Sequence, residues 1–373
     1  MPGVPRQAAA GGPRSAARPV SAQTEVLIVK VGAIGDVVMG LPAAAAAREV
    51  GDDVRVTWLC GTAVEPLLSF AGVADELVVV DERALWSPSR LARIRAVLSV
   101  WRRLAGRRFD LVAIGHPDPR YRLLTLLVRA RTTRAWDRRG RRAWPLWGRY
   151  HGDENVRLVL GGDAATLPRR PYPALRFPFN GRLADELGNV SGGRVVLVPG
   201  SAKNPIRDDA LRRWPLEHYA ELAQRLVTAG RQVVLAGSAD DAWTREAFSG
   251  VDVADAIGRT NLVELCGLMQ HSDLVITHDG GPLHLALLAG TRLIALFGPT
   301  SPHEKVPERE GVVVLWGGAE LACRPCYDGN DYADCPLNVC LREVSVERVH
   351  EEADRLIQAS AAALGNDWAR RAG

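Results

Sequence analysis

Lysine is nearly absent from this chain. It occurs only at Lys30, Lys203 and Lys305 among 47 basic residues, so almost every positive charge is an arginine. Such scarcity is a property of composition, but it makes the positions of the remaining lysines informative. A run of ~18 apolar residues is also missing, which argues against a membrane-spanning helix. Residues 1–22 are rich in Pro, Gly, Ala and Arg and contain no apolar stretch, so they read as a disordered tail rather than a signal peptide. The expected location is then the cytoplasm, with peripheral contact at the inner membrane face as an extension. No Asp-x-Asp metal-ligand pair and no short-period repeat occurs. Cysteine is sparse at six residues, and a reducing compartment disfavours disulfides. Strand-to-helix turns are present, but none carries Gly-x-Gly-x-x-Gly, which demotes a dinucleotide-dependent dehydrogenase.

The most informative segment is 272–302, SDLVITHDGGPLHLALLAGTRLIALFGPTSP. Residues 274–277 are short, apolar and β-branched, as in a buried strand. His278-Asp279-Gly280-Gly281 forms the turn, and Pro282 suits the first turn of a helix because its missing N–H would be unpaired there anyway. Residues 283–289 are the helix, Gly290 its stop, and 292–297 the next strand. Bare N–H groups at Gly280 and Gly281, ahead of a helix N-terminus, make an anion site. His284 lies in the first helical turn, where a protonatable ring can join the same anion. The segment predicts a bound phosphate, as in a nucleoside diphosphate.

Strands and helices alternate along the rest of the chain, predicting parallel sheets covered on both faces. Strands are expected at 26–31, 54–59, 77–80 and 111–114, with helices at about 37–50 and 89–104. A second series starts with a strand at 195–198. The proline-punctuated stretch 168–180 separates the two. The expected fold is α/β: an N-terminal unit over 23–180, a C-terminal unit over 190–345, and a helix and tail over 346–373. Two such units facing each other place the ligand in their shared cleft, beyond the strand ends.

Four further clusters bear on chemistry. Lys30-Val-Gly-Ala-Ile-Gly-Asp36 turns a strand into a helix, and on spacing alone Asp36 suits a helix cap as well as a catalytic carboxylate. Val198-Pro-Gly-Ser-Ala-Lys203 follows a strand, and Ser201 and Lys203 could grip a phosphate or form an ordinary exposed loop. Asp240 and Asp241 follow another strand end, where either could accept from ribose hydroxyls or cap a helix. Thr260 and Asn261 precede a helix and admit a similar double reading. Separately, arginines including Arg138, Arg139, Arg141 and Arg142 are interleaved with tryptophans at 129–149. No nucleic-acid-binding fold surrounds them, so they read as an acceptor or membrane-surface patch, the alternative being a solvated loop. Cys323, Cys326, Cys335 and Cys340 fall within eighteen residues. A structural zinc or four free structural thiols are both open.

The segment DGGPLHLALLAGTRLIALFGPTSP resembles the C-terminal signature of glycosyltransferase family 9, the heptosyltransferases, whose usual wording is Asp-Ser/Thr-Gly-Pro-x-His followed by Leu-Phe-Gly-Pro-Thr. Here Gly280 stands where the family commonly has Ser or Thr. The family's Leu-Gly-Asp motif corresponds to Ile34-Gly35-Asp36, which implies a general-base role for Asp36. Its phosphate-binding Ser/Thr-x-Lys segment, ahead of a Lys/Arg-x-Trp-Pro helix start, corresponds to Ser201 and Lys203. An acidic residue like Asp240 or Asp241 meets the ribose, and a loop near Thr260 the base. The resemblance implies a GT-B fold of two Rossmann-like domains and an inverting transfer that needs no metal cofactor. Asp36 would be catalytic. Ser201, Lys203, Asp240, Asp241, Thr260, Asp279, Gly280, Gly281 and His284 would bind the donor. The implied partners are an ADP-heptose-like nucleotide sugar and a cell-envelope glycan or glycolipid such as a lipopolysaccharide core, with no nucleic acid. An epimerase or hydrolase on the same scaffold, or a non-catalytic nucleotide-sugar binder, are the alternatives.

Overall fold

The computed structural model describes residues 23–137, 145–163, 166–190, 192–202, 208–327 and 331–372, with side chains to 359. Two parallel sheets organise these residues. The first contains β1 (Thr24–Val29), β2 (Val54–Gly61), β3 (Glu76–Val80), β4 (Arg108–Ile114) and β5 (Arg129–Ala135), in the order β3-β2-β1-β4-β5. The second contains β6 (Arg194–Val198), β7 (Gln232–Leu235), β8 (Ala254–Asp255), β9 (Leu274–His278), β10 (Leu293–Phe297) and β11 (Val312–Trp316), in the order β11-β10-β9-β6-β7-β8. This is the GT-B architecture. The central strands are apolar throughout because both faces are covered. All five residues of β6, β9 and β10 are buried.

Strand order fixes the site. In each sheet the order reverses once, between β1 and β4 and between β6 and β9. Loops at the C-terminal ends of strands flanking a reversal splay apart and leave a crevice. Asp36 follows β1. Ser201 follows β6, and Asp279-Gly280-Gly281 follows β9. The main sequence motifs therefore sit at the two switch points.

The chain crosses between the sheets over 166–190, and this crossing is packed. Gln270 Oε1 accepts from the Phe177 N–H at 2.8 Å, and the Phe70 and Phe177 rings stack at 5.1 Å. A continuous apolar core joins Val37 and Val38 to Leu283 and Leu287 across the two units. The helix Val346–Ala372 returns to the second sheet, burying Val346, Val349, Ala353, Leu356 and Ile357 with Leu222 and Leu226.

Two local expectations change. The helix expected at 37–50 is split into Ile34–Val38 and Leu41–Ala47. Gly40 and Pro42 stand at the break, where a Cβ on Gly40 would come within 3.2 Å of the Trp58 ring. The Arg-rich stretch after β4 begins as edge strand β5, but Arg138, Arg139, Arg141 and Arg142 lie outside the described residues, as does Lys203. Among the described residues no helix is long and apolar enough to cross a membrane.

Candidate active site

The two switch points touch. A Cβ placed on Gly35 would lie 2.8 Å from His284 Nε2 and closer still to Cδ2. Only glycine lets the His284 ring rest against the turn that carries Asp36. One residue earlier, Ile34 packs on Gly281, whose own Cβ would stand 3.3 Å from Ile34 Cβ. The catalytic candidate of the first unit and the anion site of the second are thus parts of one surface.

On the N-terminal side, Asp36 lies in the first turn of Ile34–Val38. Burial pushes its carboxyl up, but Lys30, Lys305, His116 and His151 outweigh this and hold it well below the usual carboxylate range. Lys30 is buried, donates to Gly115 O at 2.5 Å, and stands 4.1 Å from the centre of the Trp136 ring. Its burial lowers the ammonium to about 8, against the opposing pull of Asp36. His116 Nε2 accepts from the Val31 N–H at 3.1 Å, and burial brings that ring to about 3, so it is a neutral acceptor.

On the C-terminal side, the helix Gly281–Ala289 has Gly280 as N-cap with no side-chain cap and Pro282 in its first turn. Its leading N–H groups are therefore free to meet an anion. His284 is 3% exposed, and its Nδ1 has no hydrogen-bond partner. Burial lowers the ring to about 4, partly offset by Asp279 and Asp36. A ring so lowered is uncharged at neutral pH, not an imidazolium.

Asp279 is buried and engaged by side chains. Its Oδ2 accepts from Thr300 Oγ1 at 2.8 Å and lies 3.5 Å from Arg212. Thr300 comes from the Phe-Gly-Pro-Thr strand end, so Asp279 ties the two halves of the C-terminal signature together. Arg212 also pairs with Asp209 at 2.6 Å, and its Nε is buried without a partner. Ser201 adopts a left-handed conformation (φ 62°), as does Ala202 (φ 56°). Such backbone costs about 1–3 kcal/mol per residue and persists where its surroundings hold it. Here Asp241 Oδ1 accepts from the Ser201 N–H at 2.8 Å, and Arg213 donates to Ser201 O. The Ser201 hydroxyl lies 3.1 Å from His278 Nε2.

Asp241 is therefore corrected as a ribose ligand. It is buried, and its second oxygen accepts from the N–H and hydroxyl of Ser238 at 2.7 and 2.8 Å, so it holds the loop. Asp240 remains exposed, in a pocket of about 300 Å3 lined with Asp208, Arg213 and Trp243. Asn261 caps the helix Leu262–Gln270, leaving the buried Thr260 hydroxyl without a partner.

The four cysteines, read as a structural zinc site or as free thiols, flank residues 328–330, which lie outside the described residues. Among the described residues no group of three metal-ligating side chains is brought together. Cys323 is exposed, whereas Cys340 is buried with its Sγ 3.7 Å from Asn338 Oδ1. Burial, with the neighbouring cysteines adding to it, raises the Cys340 thiol to about 11 and that of Cys326 above its usual value.

Two residues escaped sequence reasoning. Arg212 occupies the first position of the Lys/Arg-x-Trp-Pro pattern, a signal that was present while the charge was assigned to Lys203. Lys305, left unassigned, lies 3.3 Å from His151 Nδ1 across the two units and acts electrostatically on Asp36, Asp279 and His284. Glu304 beside it accepts from the Gly148 N–H at 3.0 Å. No pattern marks this second seam.

Residues 174–335 match the family described as Glycosyltransferase family 9 (heptosyltransferase). Over this segment the chain is similar to glycosyltransferase family 9. Among its relatives, lipooligosaccharide heptosyltransferase 2 of Haemophilus influenzae is 35% identical over 166 residues, which is 42% of this chain and 46% of the relative. The chain spans about half the length of the curated relatives of this kind. Two solved structures share the fold. A glycosyltransferase family 9 protein of Veillonella parvula superposes with a TM-score of 0.71 at 20% identity, covering 90% of this chain and 97% of that one. The E. coli ADP-heptose lps heptosyltransferase II superposes with a TM-score of 0.65 at 21% identity, covering 91% and 100%. The departure from the family wording at Gly280 has a local cause. A Cβ there would stand 2.9 Å from Ser201 Oγ, so a hydroxyl from the other switch-point loop fills the space where the family commonly has its own.

Proposed function

We propose that the chain is an inverting, metal-independent glycosyltransferase. It would move heptose from an ADP-heptose donor to a lipopolysaccharide-core-like glycolipid at the cytoplasmic face of the inner membrane. The observation that carries this reading is the Gly35–His284 contact, which sets a carboxylate beside a helix N-terminus built for a diphosphate.

In this reading the acceptor hydroxyl attacks the anomeric carbon from the face opposite the diphosphate. The new C–O bond forms as the bond to the phosphate oxygen breaks, inverting the centre, and the hydroxyl proton passes to Asp36. The N–H groups of Gly281–Ala289, the His284 ring and Arg212 receive the charge that develops on the leaving group. A carboxylate held so far below its usual range is a weak base on its own. The donor corrects this, because its diphosphate brings negative charge against Lys305 and His284 and so raises Asp36 toward useful basicity. Asp240 and Thr260 are assigned to the ribose and base, and Lys203 to the phosphate.

A panel of nucleotide sugars read by thermal shift tests the donor, since a ligand of the folded state raises stability by mass action. ADP-heptose should give the largest shift, unchanged in EDTA. A shift lost in EDTA and restored by magnesium, manganese or iron(II) would contradict the metal-independent mechanism.

A further inference from the structure

The N-terminal unit carries a surface that the proposed chemistry leaves unused. The helix Arg90–Leu104, RLARIRAVLSVWRRL, contains five arginines and no acidic residue. Its inner stripe, Ala96, Val100 and Leu104, is buried on the first sheet. The outer stripe should be polar in a surface helix. Instead it carries Leu91 (67% exposed), Ile94 (53%) and Leu98 (45%), spaced at i, i+3 and i+7. Arg95 and Arg102 lie on the same stripe, four residues after Leu91 and Leu98. Leu123, Leu126 and Leu127 extend the apolar area with large exposed surfaces of their own. The Trp101 indole N–H donates to Leu123 O at 2.9 Å and locks that segment beside the helix.

Six large aliphatic side chains in one exposed area exceed what scattered surface leucines explain. Arg90, Arg93, Arg95 and Arg102 are exposed, with no hydrogen-bond or ion-pair partner among the described residues. Exposed leucines ringed by unpaired guanidinium groups match the requirements of a bilayer interface, where apolar side chains enter the acyl boundary and cations meet anionic headgroups. A nucleic acid would use the arginines but leave the leucines wet.

We propose that the face formed by the helix Arg90–Leu104 and residues 119–127 docks on an anionic lipid bilayer. Helices in a parallel α/β unit start at the C-terminal strand ends. Leu91 therefore lies at the end of the helix nearer the Asp36 cleft, the end a lipid-linked acceptor would reach. That last point rests on the proposed transfer; the docking itself does not.

The test is co-sedimentation of the full chain with vesicles of phosphatidylglycerol and phosphatidylcholine against pure phosphatidylcholine. Wild type should partition onto the anionic vesicles and not the neutral ones. Each basic side chain near such a surface contributes roughly fivefold to partitioning, so R95E/R102E should lower it at least tenfold. L91S/L98S should also weaken it and remove the fraction that survives high salt. Unchanged circular-dichroism melts and ADP binding would show that fold and nucleotide site are intact. Equal binding to both vesicle types, no binding to either, or wild-type partitioning by both variants would overturn the proposal. So would a wild-type dimer that ignores vesicles and becomes monomeric in L91S/L98S, since the face would then belong to a second copy.

Discussion

Gly35→Ala isolates the contact between the two switch points. Gly35 lies within the helix Ile34–Val38, so alanine is compatible with its backbone and intrinsically favours a helix by about 1 kcal/mol. Any harm must come from the new methyl group. That group would fall 2.8 Å from His284 Nε2 and nearer to Cδ2, where ordinary contact needs about 3.5–4 Å. His284 is 3% exposed and boxed in, so the ring cannot swing aside without moving the helix Gly281–Ala289 or opening the cleft. A displacement of about 1 Å at a reacting centre costs roughly 10² in rate. Overpacking costs roughly 1–3 kcal/mol of stability. The expectation is a variant that folds, melts a few degrees lower, and loses about 10² in kcat/KM for transfer measured by coupled ADP release. In the double variant Gly35→Ala/His284→Ala the methyl group has room again. Stability should recover beyond the sum of the single effects while activity stays low, a coupling that neighbours in contact display. Wild-type activity and stability in Gly35→Ala would refute the closed contact and, with it, the argument that one site spans both units.

Three other outcomes follow from the same geometry. Asp36→Asn should bind ADP almost normally in calorimetry yet lose about 10² or more in transfer; wild-type turnover would remove Asp36 from the mechanism. Lys30→Met removes a cation that holds Asp36 ionised, so the acidic limb of the kcat/KM–pH profile should move to higher pH; an unmoved limb would show that Lys30 acts on packing alone. The buried rings of His116 and His278 (each about 3) and His284 (about 4) lie below the usual histidine value of 6.5. The unfolded chain therefore takes up these protons first as pH falls. Melting temperature should be level from pH 6.5 up to about 8, where Lys30 begins to titrate, and drop steeply between 6.5 and 4, with His278→Gln flattening the slope; a melt insensitive to pH over that lower window would contradict the burial of these rings as neutral groups.

The motif loops were legible because they depend on local chemistry. Glycines beside a helix start, a proline in its first turn and an apolar strand before it leave few conformations open, and residues 272–302 fold as read. Strands with both faces buried were legible for the same reason. Edge strand β5 was not: RARTTRA is exposed over its first five residues and has no apolar alternation, so it reads as a charged patch. Asp241 was misassigned because a carboxylate after a strand end looks alike whether it faces a ligand or folds back on Ser201 and Ser238. The roles of Lys305 and Gly35 depend on how two distant units meet, which no local pattern encodes. Arg212 differs, since its motif was visible in the sequence.

The central claim is that Asp36 and the anion site at Gly281–Ala289 form a single glycosyl-transfer site. Mass spectrometry of a heptose-deficient lipooligosaccharide incubated with the protein and ADP-heptose tests it most directly. The account predicts that the acceptor gains the mass of one heptose, that ADP appears in equal amount, and that neither occurs with Asp36→Asn. ADP release without acceptor, or an acceptor of unchanged mass while the protein still binds ADP-heptose, would contradict it.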